Sequence, residues 1–334
     1  QLTISRPVQR AVEAVASTTM QSGCILVLDT ATAAVRASVS VPGYDPEHLA
    51  DSLQAANSPF LNRVLQSYAV GSVFKPVLAA AALEAGLQPV FECTGAVDGQ
   101  IFRCAGGVPH GQVDLAAALE KSCNGYFICL GQQLGAEKLL DAAQAFGFGQ
   151  SLPLAEGLAA EAGQLPAPQE LVQSGQLANF SFGQGSLLAT PMQVAALFNT
   201  IAADGVYRAP YVLQATLDET TGQPVEPLSH PRGRRVLPAQ SAALLRTMLV
   251  QVVQQGTAQD AAGVSGGAGG KTGTAQTGQF TPEGTERCNL WFAGFWPAEK
   301  PRYTIVVLQD GAVHTAYSGA AIFAQVCAAL EAAG

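Results

Sequence analysis

The sequence predicts an α/β (α+β) fold: an antiparallel sheet of about five strands built from both ends of the chain, flanked by terminal helices, with an all-helical region inserted. Three observations carry this. A helical pattern and two strand-like segments open the chain. Three strand-like segments and a helical pattern close it. The long middle is almost all helix and loop, without an internal repeat. On this reading a single domain covers 1–334, with an α/β part at about 1–50 and 236–334 and a helical part at about 51–235.

Composition agrees with a packed core. The chain is 48% hydrophobic and 13% charged, which is too apolar and too weakly charged for disorder. A net charge of −8 and the lack of a basic stripe argue against a nucleic-acid partner. No apolar run is long enough to span a bilayer. Seven cysteines are dispersed, with no C-x-x-C pair, so the sequence suggests no metal motif. Cys93 and Cys104 flank a short loop and could form a disulfide; otherwise the cysteines read as small buried apolar residues.

In chain order, Val8, Ala11, Val12 and Val15 have helical spacing, so a helix is expected over Pro7–Ala16. Cys24–Leu28 and the alternating Ala34–Val41 form a hairpin, ended by Pro42-Gly43. Polar, irregular sequence leads to Gly71-Ser72 and an Ala-rich helix stopped by Gly86. Phe91–Gly111 reads as loop. Helices follow at Leu115–Leu119, Tyr126–Leu134 and Lys138–Phe146. Ser151–Gln169 reads as an ordered Pro/Ala/Gly-rich loop, and Thr190-Pro191 opens a helix to about Ala203. Pro210–Pro227 suggests an irregular hairpin and Pro238–Gln255 a helix. The closing strands lie near Lys271, at Asn289–Phe295 and at Tyr303–Leu308, before a helix over Gly319–Ala332.

Three short motifs sit on this frame. Ser72 stands three residues before Lys75, which puts a hydroxyl and an amine on one face at a helix start. That is the equipment for a serine nucleophile and a lysine base. Ser122-x-Asn124 falls between two helices, and Lys271-Thr272-Gly273 on a strand. In a chain this long chance supplies about one Ser-x-x-Lys and about one Ser-x-Asn, and a Lys-Thr-Gly in roughly one such chain in ten. The set is more specific than its members, because the chain has five lysines and two of them stand in these motifs. A phosphate-binding loop is ruled out, since Ser265 and not glycine stands six residues before Lys271. His48, His110, His230 and His314 have no evident partner, and no Ser-His-Asp triad is visible.

With this trio, the chain resembles the transpeptidase domain of penicillin-binding proteins, most nearly the class B, monofunctional type. Gly23–Asp45, Leu61-Asn62-Arg63, Gly183-Gln184-Gly185, Lys271–Gln276 and Trp291–Pro297 resemble further landmarks, so the likeness spans nearly the whole chain. Ala69-Val70 stand where the family often has two prolines, and Gly125 where a threonine is common; neither bears a catalytic side chain.

The resemblance implies a role for each residue. Ser72 would be the nucleophile and Lys75 its base, neutral only if burial or a neighbouring cation such as Lys271 lowers its pKa. Ser122 would relay the proton to the leaving nitrogen, and Asn124 would bind the substrate amide. Lys271, Thr272 and Thr274 would bind the substrate carboxylate, Gly273 would permit close approach of the substrate, and the backbone N–H groups of Ser72 and Thr274 would form an oxyanion hole. Neither a cofactor nor a metal is implied. The structural alternatives are a helix cap for Ser72, turn chemistry for Ser122-x-Asn124, an architectural role for Gly183-Gln184-Gly185 and packing for Cys123, Trp291 and Trp296.

The implied activity is D,D-transpeptidation of peptidoglycan stem peptides through a Ser72 acyl-enzyme, which β-lactams would also form. The rivals are a serine β-lactamase, a D,D-carboxypeptidase and a non-catalytic β-lactam sensor. Glu156, Glu161 and Glu170 are candidate deacylating bases, but none begins an E-x-x-L-N pattern. The resemblance also implies action outside the cytoplasm, other cell-wall synthesis proteins as partners, and membrane anchoring by a segment upstream of Gln1.

Overall fold

The computed structural model describes residues 1–55, 57–97, 101–227 and 232–333. Its centre is a five-stranded antiparallel sheet. The strands are β1 (Gly23–Asp29), β2 (Val35–Val41), β3 (Gly269–Phe280), β4 (Glu286–Trp296) and β5 (Tyr303–Ala312), in the spatial order β3-β4-β5-β1-β2. β1 joins the two ends of the chain, with Gly23 opposite Gln309 on β5 and opposite Val41 on β2. β3 is therefore an edge strand, paired only to β4 within this sheet, with Lys271 opposite Ala293 and Thr274 opposite Leu290.

Helices α1 (Arg6–Thr19), α2 (Lys75–Ala85), α3 (Leu115–Glu120), α4 (Asn124–Leu134), α5 (Ala136–Ala145), α6 (Ser174–Ser181), α7 (Pro191–Ala202), α8 (Ala239–Gln254) and α9 (Gly319–Ala332) surround it. In α1 the buried residues Val8, Val12, Val15 and Ala16 recur at helical spacing, and Pro7 sits in the first turn, where its missing N–H is harmless. α1 packs on α9 and on the sheet, and α7 packs on β1, β4 and β5. Consecutive residues of a strand face opposite sides, and Gly23–Leu28 are all buried, so both faces of the sheet are covered at β1. α8 runs against β3.

All twelve residues of α7 are buried, including three polar ones. Each is satisfied. Gln193 donates through Nε2 to the carbonyls of Gly147, Gln150 and Ala162 at 3.2, 3.1 and 2.8 Å. Thr200 Oγ1 donates to the Ala196 carbonyl at 2.7 Å. Asn199 donates to the Thr30 carbonyl at 3.3 Å and accepts from Thr304 Oγ1 at 2.9 Å, tying helix to sheet.

Several segments differ from the sequence reading. Phe91–Gly111 is not wholly loop: Phe91–Cys93 pairs with Gly111–Val113, and Ala96–Val97 with Phe102–Arg103. Ser151–Gln169 contains a small hairpin, Leu152–Ala155 with Leu158–Ala160. These ladders are two to four residues long, and too short to show alternation. α6 was not expected, because its sequence is polar and glycine-containing. The hairpin within Pro210–Pro227 is present as Ala215–Leu217 with Pro224–Pro227. His230 lies outside the described residues.

The buried Asn199 bridge makes a direct stability prediction. Asn199→Ala leaves the Thr30 carbonyl unsatisfied and the Thr304 hydroxyl with Thr30 Oγ1, at 3.5 Å, as its remaining partner, so urea denaturation should show a loss of about 1–3 kcal/mol. A change within a few tenths of a kcal/mol would mean that the bridge does not join the layers.

Candidate active site

The site is assembled where the edge strand β3 meets the turn that begins α2. The approach to this turn is held from three directions. Tyr68–Ala69 pairs with Leu188–Ala189. Trp291 Nε1 donates to the Ala69 carbonyl at 2.9 Å. The Gly71 amide donates to the Gly183 carbonyl at 2.9 Å. Side chains are excluded here. Gly71 has φ +59°, and a Cβ on it would lie 2.5 Å from the Thr274 carbonyl oxygen. Gly183 has φ +86°, and a Cβ on it would lie 2.0 Å from the Gly71 carbonyl oxygen. Gly183-Gln184-Gly185 is thus an architectural element.

Gly71–Phe74 forms one 3₁₀ turn, and α2 continues from Lys75. The expected helix at Ser72 is present with a tighter first turn. Gly86, at φ +66°, ends it as expected. Ser72 is half-buried and Lys75 fully buried. The second wall is the turn between α3 and α4. Ser122 there has φ +54°, a conformation that strains a residue with a Cβ by roughly 1–3 kcal/mol. Cys123 caps α4, its sulfur accepting from the Tyr126 amide at 3.4 Å.

Lys75 joins these walls. Its Nζ donates to the Ser122 carbonyl at 2.7 Å, to Ser122 Oγ at 3.1 Å and to Asn124 Oδ1 at 2.7 Å. It also lies 5.4 Å from the centre of the Phe127 ring. Asn124 is oriented in turn by donating through Nδ2 to the Arg103 carbonyl at 2.8 Å. Burial pushes the Lys75 pKa down to about 7, against the opposing influence of Cys123 and Cys104. The Ser72 hydroxyl makes no hydrogen bond to Lys75 among the described residues, so a substrate or a side-chain rotation must bring the two together.

On β3, Thr272 and Thr274 share the outward face, half-buried and exposed respectively, while Lys271 and Gly273 are buried. A Cβ on Gly273 would lie 3.0 Å from the Val70 carbonyl oxygen, so this strand lies directly against the Ser72 turn. Lys271 is fully buried, and its Nζ donates to the Thr272 carbonyl at 3.1 Å. Its pKa is held well below the usual lysine range, first by burial and then by the Lys75 charge. The expected cationic help for Lys75 from Lys271 is therefore minor, and desolvation is the principal cause of the Lys75 shift.

Two features escaped the sequence reading. Thr257, in the glycine-rich approach to β3, lies 2.8 Å oxygen to oxygen from the Thr272 hydroxyl. A lone threonine in such a stretch carries no signal. The dispersion of the cysteines in sequence also misled. Cys93, Cys104 and Cys123 converge behind the Ser122 turn, and His110, expected to be unpartnered, lies 3.5 Å from the Cys93 sulfur through Nδ1. His48 pairs with Asp45 at 2.8 Å on the surface.

A serine at a helix start, a buried amine of lowered pKa and a hydroxyl-bearing edge strand define the acyl-transfer class of serine enzymes. The profile of the penicillin-binding protein transpeptidase domain matches residues 23–329, and the chain belongs to that family. It is 33% identical to peptidoglycan D,D-transpeptidase PbpA of Mycolicibacterium smegmatis over 344 residues, covering 92% of this chain and 67% of that protein. Among solved structures, the D,D-transpeptidase domain of a peptidoglycan glycosyltransferase from Eggerthella lenta has a TM-score of 0.87 at 27% identity, over 100% of this chain and 83% of that one. A ceftriaxone acyl-enzyme complex of penicillin-binding protein A from M. tuberculosis has a TM-score of 0.84 at 29% identity, over 99% and 79%. The fold expected from the sequence is that of this family.

Gly183→Ala should disturb the Ser72 turn, with a loss of at least about 2 kcal/mol, because both φ and space exclude a methyl group. Acylation by a fluorescent penicillin should slow in parallel. Unchanged Tm and labelling would show that the turn does not depend on this contact.

Proposed function

We propose that the chain is a D,D-transpeptidase that cross-links peptidoglycan stem peptides through a Ser72 acyl-enzyme. The observation that carries this is Lys75: a buried amine of lowered pKa, three residues from Ser72 and bonded to the turn bearing Ser122 and Asn124. In its neutral form Lys75 takes the Ser72 proton as Oγ attacks the carbonyl carbon of the penultimate D-Ala. The backbone N–H groups of Ser72 and Thr274 hold the resulting oxyanion. Ser122 passes the proton to the departing nitrogen, the C–N bond breaks and D-Ala leaves. The amine of a second stem then attacks the ester carbon, and Ser72 recovers its proton. Asn124 binds the substrate amide. Thr272, Thr274 and Lys271 bind the terminal carboxylate, and Gly273 permits its approach. A β-lactam enters the same path, its ring amide replacing the peptide.

In this reading the α/β part (about 1–50 and 236–334) supplies Lys271–Thr274, and the helical part (about 51–235) supplies Ser72, Lys75, Ser122 and Asn124. The protein acts outside the cytoplasm, at the membrane, working with other cell-wall synthesis proteins. Among the described residues no helix is long and apolar enough to cross a membrane.

The transpeptidase reading is favoured over a β-lactamase by the engagement of two of the three candidate deacylating carboxylates and by the lack of an E-x-x-L-N pattern at any of them. Glu161 accepts from the Ser67 amide at 2.9 Å, and Glu170 accepts from Ser186 Oγ at 3.1 Å.

Two measurements test the proposal. Intact mass after exposure to benzylpenicillin should show a long-lived adduct that Ser72→Ala abolishes. Rapid nitrocefin turnover would indicate a β-lactamase, and no adduct at all would reject the acyl-enzyme. The acylation rate should rise by about tenfold per pH unit below about 7 and level off above it, as Lys75 loses its proton. A profile flat across that range would remove Lys75 as the base.

A further inference from the structure

Behind the Ser122 turn, four potential ligands spread between residues 93 and 123 face one point. Cys93 Sγ lies 3.7 Å from Cys104 Sγ and 3.5 Å from His110 Nδ1, and Cys104 Sγ lies 3.9 Å from Cys123 Sγ. All four ligand atoms lie within 4.8 Å of one another. A tetrahedron with zinc–sulfur arms of about 2.3 Å has sulfur–sulfur edges of about 3.8 Å. The separations are much longer than a disulfide bond of about 2.05 Å, and three thiols cannot all pair among themselves.

We propose that Cys93, Cys104, His110 and Cys123 bind one zinc ion as a closed structural site. Sulfur-rich tetrahedral donor sets select zinc, and four protein ligands leave no open position for catalysis. On binding, each S–H bond is replaced by an S–Zn bond and its proton passes to solvent, while His110 binds as the neutral imidazole.

The surroundings fit a metal site. The three cysteines are at most 4% exposed. Backbone N–H groups of Asn124 and Gly125 point at the Cys104 sulfur, and that of Tyr126 at the Cys123 sulfur, as outer hydrogen bonds that hold thiolates in place. The His110 amide donates to the Cys93 carbonyl at 3.1 Å, so these two ligands are also joined through the backbone.

The site also has a function. Cys123 lies between Ser122 and Asn124, the two residues that accept from Lys75. The ion therefore pins the Phe91–Val113 excursion to that turn and keeps a strained Ser122 in position, as a positioning site rather than a catalytic one.

The test uses the full chain without an affinity tag, purified anaerobically with a thiol reductant. Elemental analysis should find one zinc per chain. Replacement by cobalt(II) should give thiolate charge-transfer absorption and the intense d–d bands of a tetrahedral sulfur site. Cys104→Ser and His110→Ala should lose both signals, while Cys129→Ser, at a cysteine outside the cluster, should keep them. If the variants do not fold, the wild-type metal content and cobalt spectrum still decide. Absence of zinc together with absence of the cobalt spectrum overturns the proposal, as does a Cys93–Cys104 disulfide found under these conditions. Because metal is read without substrate, its failure would leave the Ser72 chemistry untouched.

Discussion

The structure depends on keeping one amine dry. Lys75 is fully buried, and among the described residues it has no carboxylate partner. Its three acceptors are uncharged oxygens from a single turn, which hydrogen-bond the ammonium but supply no opposing charge to offset its desolvation. Linkage gives this burial a definite sign. The unfolded chain holds a proton on this lysine that the folded chain gives up between the ordinary lysine value and about 7. The resulting instability is full below about 7 and disappears as pH rises to the ordinary value. The fold tolerates this destabilising group at the centre of the proposed acyl-transfer site.

The remaining geometry holds the walls together. The Ser72 turn has no slack, because backbone touches backbone at Gly71 and Gly183 and the edge strand closes against Val70 and Val73. The strain at Ser122 fits the same pattern: a single residue in an unfavourable conformation, fixed by the bonds of Lys75 on one side and the N-cap of α4 on the other.

Much of this was legible in the sequence, for physical reasons. The Ala-rich run after Lys75, the stop at Gly86 and the alternation of Thr272 and Thr274 are local patterns, and local patterns survive without knowledge of the fold. The sheet could be assembled from both ends because its segments are long and β-rich. Short ladders such as Ala96–Val97 with Phe102–Arg103 were not legible, since two residues show no period. Nor was the source of the Lys75 shift. Burial is a property of the packed whole, so sequence inspection could name burial and a neighbouring cation as causes but not decide between them. The cysteines are the clearest case: no C-x-x-C spacing marks Cys93, Cys104 and Cys123, yet their sulfurs are adjacent in space.

The placement of β1 beside β5 has a consequence for how the molecule forms. Twenty-odd residues from the start, the chain needs a partner near residue 305 before its most buried strand is covered on that side. Contacts so distant in sequence carry a large loop-closure cost and are late events in folding. A chain still emerging from the ribosome, or still being threaded across a membrane, has Ser72 and Lys75 but no edge strand to lay against them. The cleft between the Ser72 turn and Thr274 is completed only when β3 arrives, about two hundred residues after the turn it closes upon.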